Sequence, residues 1–507
     1  MSRGSSSWKR SELLFLVIYA ICFYALIIYR SLQLTREHSG RLTGLRRGWM
    51  WNRLNDLSDA QWRNFRGNLP ILTLVMGMFT LVATTLRSQY HLKGRGMSVI
   101  WLLVSLSYLL YLHGACVMFV LSIASMNFVL VKTFFCRYLH NQSISHAYFG
   151  CSTYFFLYGI EYMKGILSAQ SGKVGLSWTT IVVLLDGIFA LTLKHMQRCR
   201  ICSSGKTCYL SLQERSIHTD KFSFSMYLCY LVYAPLYIAG PIVSFNAFAS
   251  QLDMPQRNHS IGQIAWYGFR WVLSLFLMEV MTHFFCYNAF TISGLWREFS
   301  PFEVFIIGYG VLNFMWLKFF LIWRYFRFWS LVGGVDVPEN MPRCINNCYD
   351  LESFWKNWHA SFNKWLVRYL YIPLGGSRKK LLNVWVIFTF VAVWHDLEWR
   401  LLSWAWLTCL FFIPEMIVKS AVSALKAKSA IHEFILRELG AVAGAITITS
   451  LMVANLVGYV IGPSGINWLI SRLLHRDGLP VLGGIFTTFY VGTKLMFHIQ
   501  DTKKNLQ

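Results

Sequence analysis

Charged residues are scarce in this sequence, and acidic residues are the scarcest of them. Only 14% of the 507 residues are charged, with 23 Asp and Glu against 47 Lys and Arg. Hydrophobic residues make up 55% of the chain, and the mean hydropathy is +0.43. Too few polar residues remain to cover a soluble globule of this size, so the composition excludes a water-soluble protein.

Other patterns are missing as well. The twelve cysteines lack the dense, regular spacing of a disulfide scaffold. There is no internal repeat and no matched pair of broken helices in two halves, which argues against an alternating-access transporter. The net charge is +24, but no basic stretch is free of apolar segments. We therefore expect the positive charge to lie at membrane surfaces, with no nucleic acid as a partner.

Long apolar runs recur along the whole chain. A helix needs about 20 apolar residues to cross the hydrocarbon core of a bilayer, and its backbone polar groups must be satisfied internally. The runs predict an all-α, multi-pass transmembrane helical bundle with about 11 or 12 membrane helices and re-entrant segments. The predicted helices cover residues 13–29, 71–86, 97–131 with a break at His113-Gly114, 148–160, 176–193, 222–240, 264–290, 304–323, 382–394, 401–417, 440–461 and 481–497.

Residues 51–66 predict an amphipathic helix lying in the membrane interface, because Trp51, Leu54, Leu57, Trp62 and Phe65 are spaced among polar residues. Nothing in the sequence indicates a separate soluble domain. We expect one membrane domain over residues 1–507, with its catalytic core at about 222–406.

An unusual polar stretch follows in the second half of the chain. Residues 354–369 (FWKNWHASFNKWLVRY) mix aromatic side chains with His, Asn, Lys and Arg, and residues 370–377 (LYIPLGGS) follow. Downstream, His395 ends the apolar run 382–394. An ionisable group at membrane depth is costly, so His395 is a candidate functional residue; its structural alternative is an interfacial histidine hydrogen-bonded to nearby backbone.

These residues resemble a known family. Trp358-His359, the following Arg-Tyr and Tyr-Ile-Pro-Leu-Gly-Gly, and Trp394-His395 look like the signature of the membrane-bound O-acyltransferase (MBOAT) superfamily. Residues 233–245, with Glu279 and His283, agree with it, so the resemblance covers roughly 222–406. Residues 336–344 and 394–396 resemble most the branch that holds hedgehog acyltransferase and the fungal glycerol-uptake proteins.

The resemblance implies a fatty acyl transfer from acyl-CoA to a hydroxyl acceptor, with His395 as the essential histidine and His359 as the second catalytic position. It implies a tunnel in which donor and acceptor meet, an endoplasmic reticulum membrane, and a lipid or GPI-anchor precursor as acceptor. Two alternatives stay open. One is N-terminal palmitoylation of a protein, and the other is a glycerol or proton carrier that uses the same histidines.

The chemistry of acyl transfer agrees with these residue types. A base must take the proton of the acceptor, and a neutral imidazole, with an ordinary pKa near about 6.5, suits that task for His395. His359 could orient the acceptor or donate a hydrogen bond to the thioester oxygen. No Ser or Cys lies in a recognisable nucleophile motif, so we expect direct attack without an acyl-enzyme.

Basic residues near the two histidines are candidates for binding the phosphates of coenzyme A. They are Lys364, Arg368, Arg378, Lys379 and Lys380. The alternative is that such clusters only anchor a helix end to lipid headgroups.

Two further features of the sequence, Cys344 and the Glu279–His283 pair, are candidates for a functional or a structural role. Cys344 matches a position that holds haem iron in hedgehog acyltransferase, so the resemblance implies a possible haem b ligand; a lone loop cysteine is otherwise a buried small residue. Glu279 and His283, spaced i and i+4, predict a mutual hydrogen bond with a structural role and no metal site.

Overall fold

The fold is taken from a computed structural model of the chain, which describes residues 2–92, 94–138, 223–253, 255, 258–396, 398–424 and 430–505. The helices predicted at 148–160 and 176–193 lie outside the described residues.

The described residues are almost entirely helical, which confirms the all-α membrane bundle. The α-helices, in chain order, are α1 (Ser2–His38), α2 (Ala60–Gln89), α3 (Arg95–His113), α4 (Val117–Tyr138), α5 (Phe224–Val232), α6 (Ala234–Tyr237), α7 (Phe245–Asp253), α8 (Ile261–Phe284), α9 (Tyr287–Ser293), α10 (Pro301–Val332), α11 (Leu351–Asn357), α12 (Ala360–Leu366), α13 (Lys380–His395), α14 (Trp399–Ala424), α15 (Ala430–Leu456), α16 (Ile466–Leu473) and α17 (Leu479–Asn505). Two π-helical turns, Val367–Tyr371 and Val457–Ile461, continue α12 and α15. Two short strands, β1 (Leu45–Arg47) and β2 (Leu54–Asp56), form an antiparallel hairpin.

Eight helices of the described part of the chain are long and apolar enough to cross a membrane. These candidate spans are Arg10–Arg41, Ala60–Gln89, Arg95–His113, Ile261–Phe284, Pro301–Val332, Trp399–Ser420, Ile431–Ile461 and Leu479–Thr502. The helix that carries His395, α13, has 16 residues and is shorter than these spans. The predicted break at His113-Gly114 is confirmed, since a 3-10 turn at Gly114–Cys116 separates α3 from α4.

The interfacial helix predicted over residues 51–66 is wrong for its first half. Residues 54–56 are strand β2, and α2 begins only at Ala60. The reason is local: the Asp59 carboxylate accepts a hydrogen bond from the Trp62 backbone N–H at 2.6 Å, which is the capping interaction that starts a helix. The apolar spacing over this segment therefore reflects a hairpin followed by a helix start.

The single helix predicted over residues 222–240 is wrong as well. The structure has two short helices, α5 and α6, separated at Tyr233, whose backbone is not helical (φ −53°, ψ 107°). Pro235 has no N–H to donate to a preceding turn, and it occupies the start of α6, where no such bond is needed. One proline thus divides an apolar run that composition alone presents as continuous.

The chain forms two compact units. The first comprises Met1–Arg66, Leu273–Phe320 and Met341–Gln507, and the second comprises Gly67–Val272 and Leu321–Asn340. In the first unit, one apolar cluster joins α9 and α10 to α15, and another joins α11, α13, α14 and α15. The candidate catalytic residues all lie in the first unit, beside the second of these clusters.

Candidate active site

His359 lies in a backbone conformation that few residues adopt. It separates α11 from α12 with φ 46° and ψ 52°, in the left-handed region. The Trp358 N–H closes the end of α11 on the Phe354 carbonyl at 2.9 Å, and the Asn363 N–H donates to the His359 carbonyl at 3.0 Å. Histidine tolerates this region better than most non-glycine residues, but the conformation still costs on the order of 1 kcal/mol. Such strain, held by ordered helices on both sides, is typical of functional positions.

His395 is the last residue of α13. The Asp396 N–H closes the helix on the Ala392 carbonyl at 3.1 Å, and α14 begins three residues later at Trp399. The apolar run that predicted this helix therefore ends at the imidazole.

One indole connects the two histidines. The Trp394 ring lies 4.7 Å from the His395 ring and 5.9 Å from the His359 ring, centroid to centroid. Phe362 stacks on the same indole at 4.5 Å, and its ring lies 5.1 Å from that of His359. The structure thus brings together the two residues that the sequence predicted as catalytic, although 36 positions separate them in the chain.

His395 is an exposed residue of the structure, although many protein atoms lie around its side chain. The residue is therefore not sealed within packed side chains. Within the described residues its neighbours are aromatic rings rather than hydrogen-bond partners: Trp394, and Trp404 at 6.1 Å with its plane nearly perpendicular. An acceptor hydroxyl could therefore approach a ring nitrogen.

His359 is held in its neutral form. Burial, with a smaller contribution from the neighbouring His395, lowers the pKa of His359 to about 3. A neutral imidazole carries one N–H donor and one acceptor nitrogen, so it can donate a hydrogen bond without bringing a charge into a region of low dielectric.

Packing behind His395 involves residues that the sequence analysis missed. The Trp404 indole is only 2% exposed and contacts the rings of Trp355 at 5.6 Å and Tyr459 at 5.8 Å. Gly458, in the π-helical turn after α15, lies against it: a Cβ there would meet Trp404 Cδ1 at 2.9 Å and Cγ at 3.0 Å. Irregular helical turns of this type are frequent at functional sites. No local pattern connects positions 404 and 458, so a single sequence could not reveal this contact.

The predicted phosphate-binding residues divide into two groups. Lys364 is exposed and Arg368 is half-buried, on α12 and the π-helical turn that follows it, close to His359 in the chain. The basic residues 378–380 are exposed at the opposite end of α13 from His395. At a rise of about 1.5 Å per residue, Lys380 and His395 are separated by about 22 Å along the helix. These basic groups therefore do not lie at the reaction centre itself.

Cys344 lies half-buried in the loop between α10 and α11. It begins a 3-10 turn, where the Asn347 N–H donates to its carbonyl at 3.0 Å. Burial raises the pKa of the Cys344 thiol, whereas haem ligation needs the deprotonated sulfur. Within the described residues no group of three or more His, Cys, Asp or Glu side chains is arranged to hold a metal ion. Neither the structure nor the comparisons support the haem that the resemblance implied for Cys344, and no step is derived through it.

Glu279 and His283 form a structural cluster. The His283 ring bonds the Glu279 backbone carbonyl at 2.7 Å, while the Glu279 carboxylate accepts hydrogen bonds from Arg66 at 2.5 and 2.9 Å and from Trp49 at 2.8 Å. The predicted mutual hydrogen bond between the two side chains is not formed, because the histidine bonds the backbone carbonyl while Arg66 and Trp49 occupy the carboxylate. A structural role for the pair stays a prediction.

Sequence comparisons identify the family. The sequence model described as "MBOAT, membrane-bound O-acyltransferase family" matches residues 156–458. The chain is 31% identical to the membrane-bound O-acyltransferase GUP1 of Saccharomyces cerevisiae, over 98% of this chain and 92% of that protein. It is also 31% identical to gup1 of Schizosaccharomyces pombe, over 90% of this chain and 82% of that protein.

A more distant relative is the protein-cysteine N-palmitoyltransferase HHAT of Mus musculus, 27% identical over 53% of this chain and 57% of that protein. The family match covers more than half of the chain, and the fungal relatives match it over most of their length. This chain is a multi-pass membrane protein that belongs to the membrane-bound O-acyltransferase family.

Proposed function

We propose that this protein transfers a long-chain fatty acyl group from acyl-CoA to a hydroxyl acceptor, with His395 as the general base. The acceptor is a lipid, such as a GPI-anchor precursor, and the reaction takes place in the endoplasmic reticulum membrane. The observation that carries the proposal is the pair of histidines on one indole, of which His395 is an exposed residue.

The reaction would proceed by direct transfer. A ring nitrogen of His395 takes the proton of the acceptor hydroxyl while the hydroxyl oxygen forms a bond to the thioester carbonyl carbon. The carbonyl π electrons move to oxygen, and the neutral His359 N–H stabilises the resulting oxyanion. The C–S bond then breaks, and the coenzyme A sulfur leaves with the proton that His395 had taken. General-base assistance of this type contributes about 10² to 10⁴ in rate, and an oxyanion donor contributes about 10² to 10³.

The position of the basic residues is consistent with acyl-CoA as the donor. In coenzyme A the long pantetheine arm separates the thioester from the phosphates, so a binding site needs cationic groups at some distance from the base. Residues 378–380 are exposed at one end of α13 and His395 is at the other, about 22 Å away. Guanidinium and ammonium groups make charge-assisted hydrogen bonds to phosphate oxygens.

The fungal relatives favour an oxygen acceptor, because both are named O-acyltransferases and match this chain over most of its length. The mouse relative is named a protein-cysteine N-palmitoyltransferase and matches about half of the chain. Transfer to an amino group is therefore the alternative outcome that an experiment must distinguish.

The test is release of free coenzyme A thiol by the purified, detergent-solubilised chain. We expect release from palmitoyl-CoA only when a hydroxyl-bearing lipid acceptor is present, and at least a hundredfold loss in His395→Ala. The matched control is His475→Ala, since His475 is an exposed histidine in the turn before α17 that pairs with Asp477. Full activity in His395→Ala would refute the mechanism. Release with an N-terminal peptide but no lipid would indicate N-acylation, and glycerol flux into proteoliposomes without acyl-CoA would indicate a carrier.

A further inference from the structure

A β-hairpin connects the first two membrane helices. Strands β1 and β2 pair with Leu45 opposite Asp56 and Arg47 opposite Leu54, between α1 and α2. Both of these helices contain candidate membrane spans, which end at Arg41 and begin again at Ala60. The hairpin therefore lies at a membrane surface.

The apex of the hairpin is strained. Trp51 has φ 43° and Asn52 has φ 54°, and the Arg53 N–H closes the turn on the Met50 carbonyl at 2.9 Å. Turns with two positive φ angles favour Asn-Gly or Gly-Gly, and a bulky residue in the left-handed region is an outlier. The tryptophan at position 51 therefore disfavours the turn in which it lies, and strain of this kind points to a function of the side chain.

The base of the hairpin is fixed to the end of α8. Gly48 packs against the His283 ring so closely that no side chain fits at position 48, and Trp49 Nε1 donates to the Glu279 carboxylate at 2.8 Å. At the apex, the Arg53 guanidinium lies 4.4 Å from the centre of the Phe284 ring, and the Trp51 ring meets the same ring edge-on at 5.8 Å. These contacts hold the hairpin rigidly against the end of α8, and its exposed side chains are held with it.

Two indoles and two guanidinium groups remain exposed on this rigid element. Trp51 is 76% exposed and Trp49 is 62% exposed. Arg46 and Arg47 are exposed, and no carboxylate of the described residues lies within ion-pair distance of either, whereas Arg41 is paired with Glu298 at 2.6 and 2.8 Å. Tryptophan favours the headgroup level of a bilayer, and unpaired basic groups beside a span attract anionic headgroups.

We propose that the hairpin is a binding site for anionic phospholipid headgroups. Trp51 and Trp49 lie at the headgroup level, and Arg46 and Arg47 bind the lipid phosphate and its additional negative charge. Each arginine near an anionic surface strengthens binding by about fivefold, so the pair contributes roughly twenty-five-fold. The role is independent of the acyl transfer proposed above.

The test compares melting temperatures of the full-length chain in nanodiscs of phosphatidylcholine with and without phosphatidylserine, because a lipid that binds only the folded state raises the melting temperature. We expect phosphatidylserine to raise it for the parent and not for Arg46→Gln/Arg47→Gln. The control Arg472→Gln/Arg476→Gln removes the same charge from exposed residues near α17 and should keep the full shift. An unchanged shift in the hairpin variant, or an equal loss in the control, would overturn the proposal. So would an equal shift with soluble inorganic phosphate added to phosphatidylcholine nanodiscs.

A separate test at Trp51 compares backbone strain in the turn with anchoring of the indole at the membrane. Trp51→Gly relieves the positive φ but also removes the edge-on ring contact with Phe284, and both of these effects act with or without a bilayer. We expect Trp51→Gly to lower the melting temperature more in nanodiscs than in detergent, with Trp51→Tyr retaining the parent value in nanodiscs because tyrosine also favours the interface. An equal change in nanodiscs and in detergent would contradict a role of the indole at the membrane.

Discussion

Replacing Gly458 with alanine tests whether the packing of Trp404 determines the position of His395. Position 458 belongs to the π-helical turn that follows α15, and Trp404 separates it from the imidazole. The added Cβ would lie 2.9, 3.0 and 3.1 Å from three Trp404 atoms, Cδ1, Cγ and Cβ. Carbon atoms in contact prefer about 3.5 to 4.0 Å, so the indole must move by roughly 0.5 to 1 Å.

The indole can move in few directions, since Trp355 and Tyr459 also pack against it. We expect part of the displacement to reach His395. A misplacement of about 1 Å in a catalytic group can cost on the order of 10²-fold in rate, so kcat should fall by about 10- to 100-fold while the KM for acyl-CoA changes less than threefold. The overpacking itself should destabilise the fold by about 1 to 3 kcal/mol.

The assay is coenzyme A release with saturating acceptor, alongside a melting temperature for each variant. Gly483→Ala is the matched control, because a Cβ at this position of α17 meets nothing within 4 Å. The reasoning is refuted if Gly458→Ala keeps a kcat within twofold of the parent. It is refuted equally if its loss of activity equals its loss of folded protein, or if Gly483→Ala loses as much.

Three further predictions concern charge and protonation. Burial lowers the pKa of His359 to about 3, below the value of about 6.5 in an unfolded chain, so the unfolded state binds the proton first as pH falls. The melting temperature should therefore drop between about pH 6.5 and pH 3, and less so in His359→Asn; parallel pH profiles for the two proteins would contradict a neutral buried His359. Replacing residues 378–380 with glutamine should raise the KM for acyl-CoA by roughly tenfold with little change in kcat, and an effect on kcat alone would argue against phosphate binding. Lys494, only 8% exposed, pairs with Glu12 and with Glu438, so Lys494→Met should remove both ion pairs and leave Glu12 with His498 and Glu438 with the Tyr490 hydroxyl. It should lower the melting temperature more than Glu438→Gln, which keeps the Glu12 pair; equal melting temperatures would show that the ion pairs do not stabilise the fold.

The sequence was most informative where one local property decides the structure. Long apolar runs predicted the membrane helices because a bilayer leaves the backbone no other partner, and the structure has α1, α2, α10, α14 and α17 at predicted positions. The prediction from sequence failed where a single residue decides where a helix begins or ends. Pro235 divides the predicted helix at 222–240, and the Asp59 cap starts α2 at residue 60, within the interfacial helix predicted at 51–66.

The candidate site was predictable in its chemistry but not in its geometry. An imidazole at the end of an apolar helix is a local feature, so His395 was recognisable along the chain, as was His359 from its polar and aromatic surroundings. The contact of both histidine rings with the Trp394 indole depends on how α12 and α13 pack. That packing joins residues far apart in sequence, and one sequence does not show which of them touch.

The sequence by itself determined that this is an all-α membrane protein of the MBOAT family with two histidines as the candidate catalytic groups, because composition, apolar length and motif residues are properties of single positions and short segments. Only the tertiary structure decided that both histidines lie against Trp394, that Gly458 is close to Trp404, and that the hairpin holds Trp51 exposed. These contacts arise from side-chain volumes and helix packing between distant segments, where a difference of about 1 Å decides the outcome.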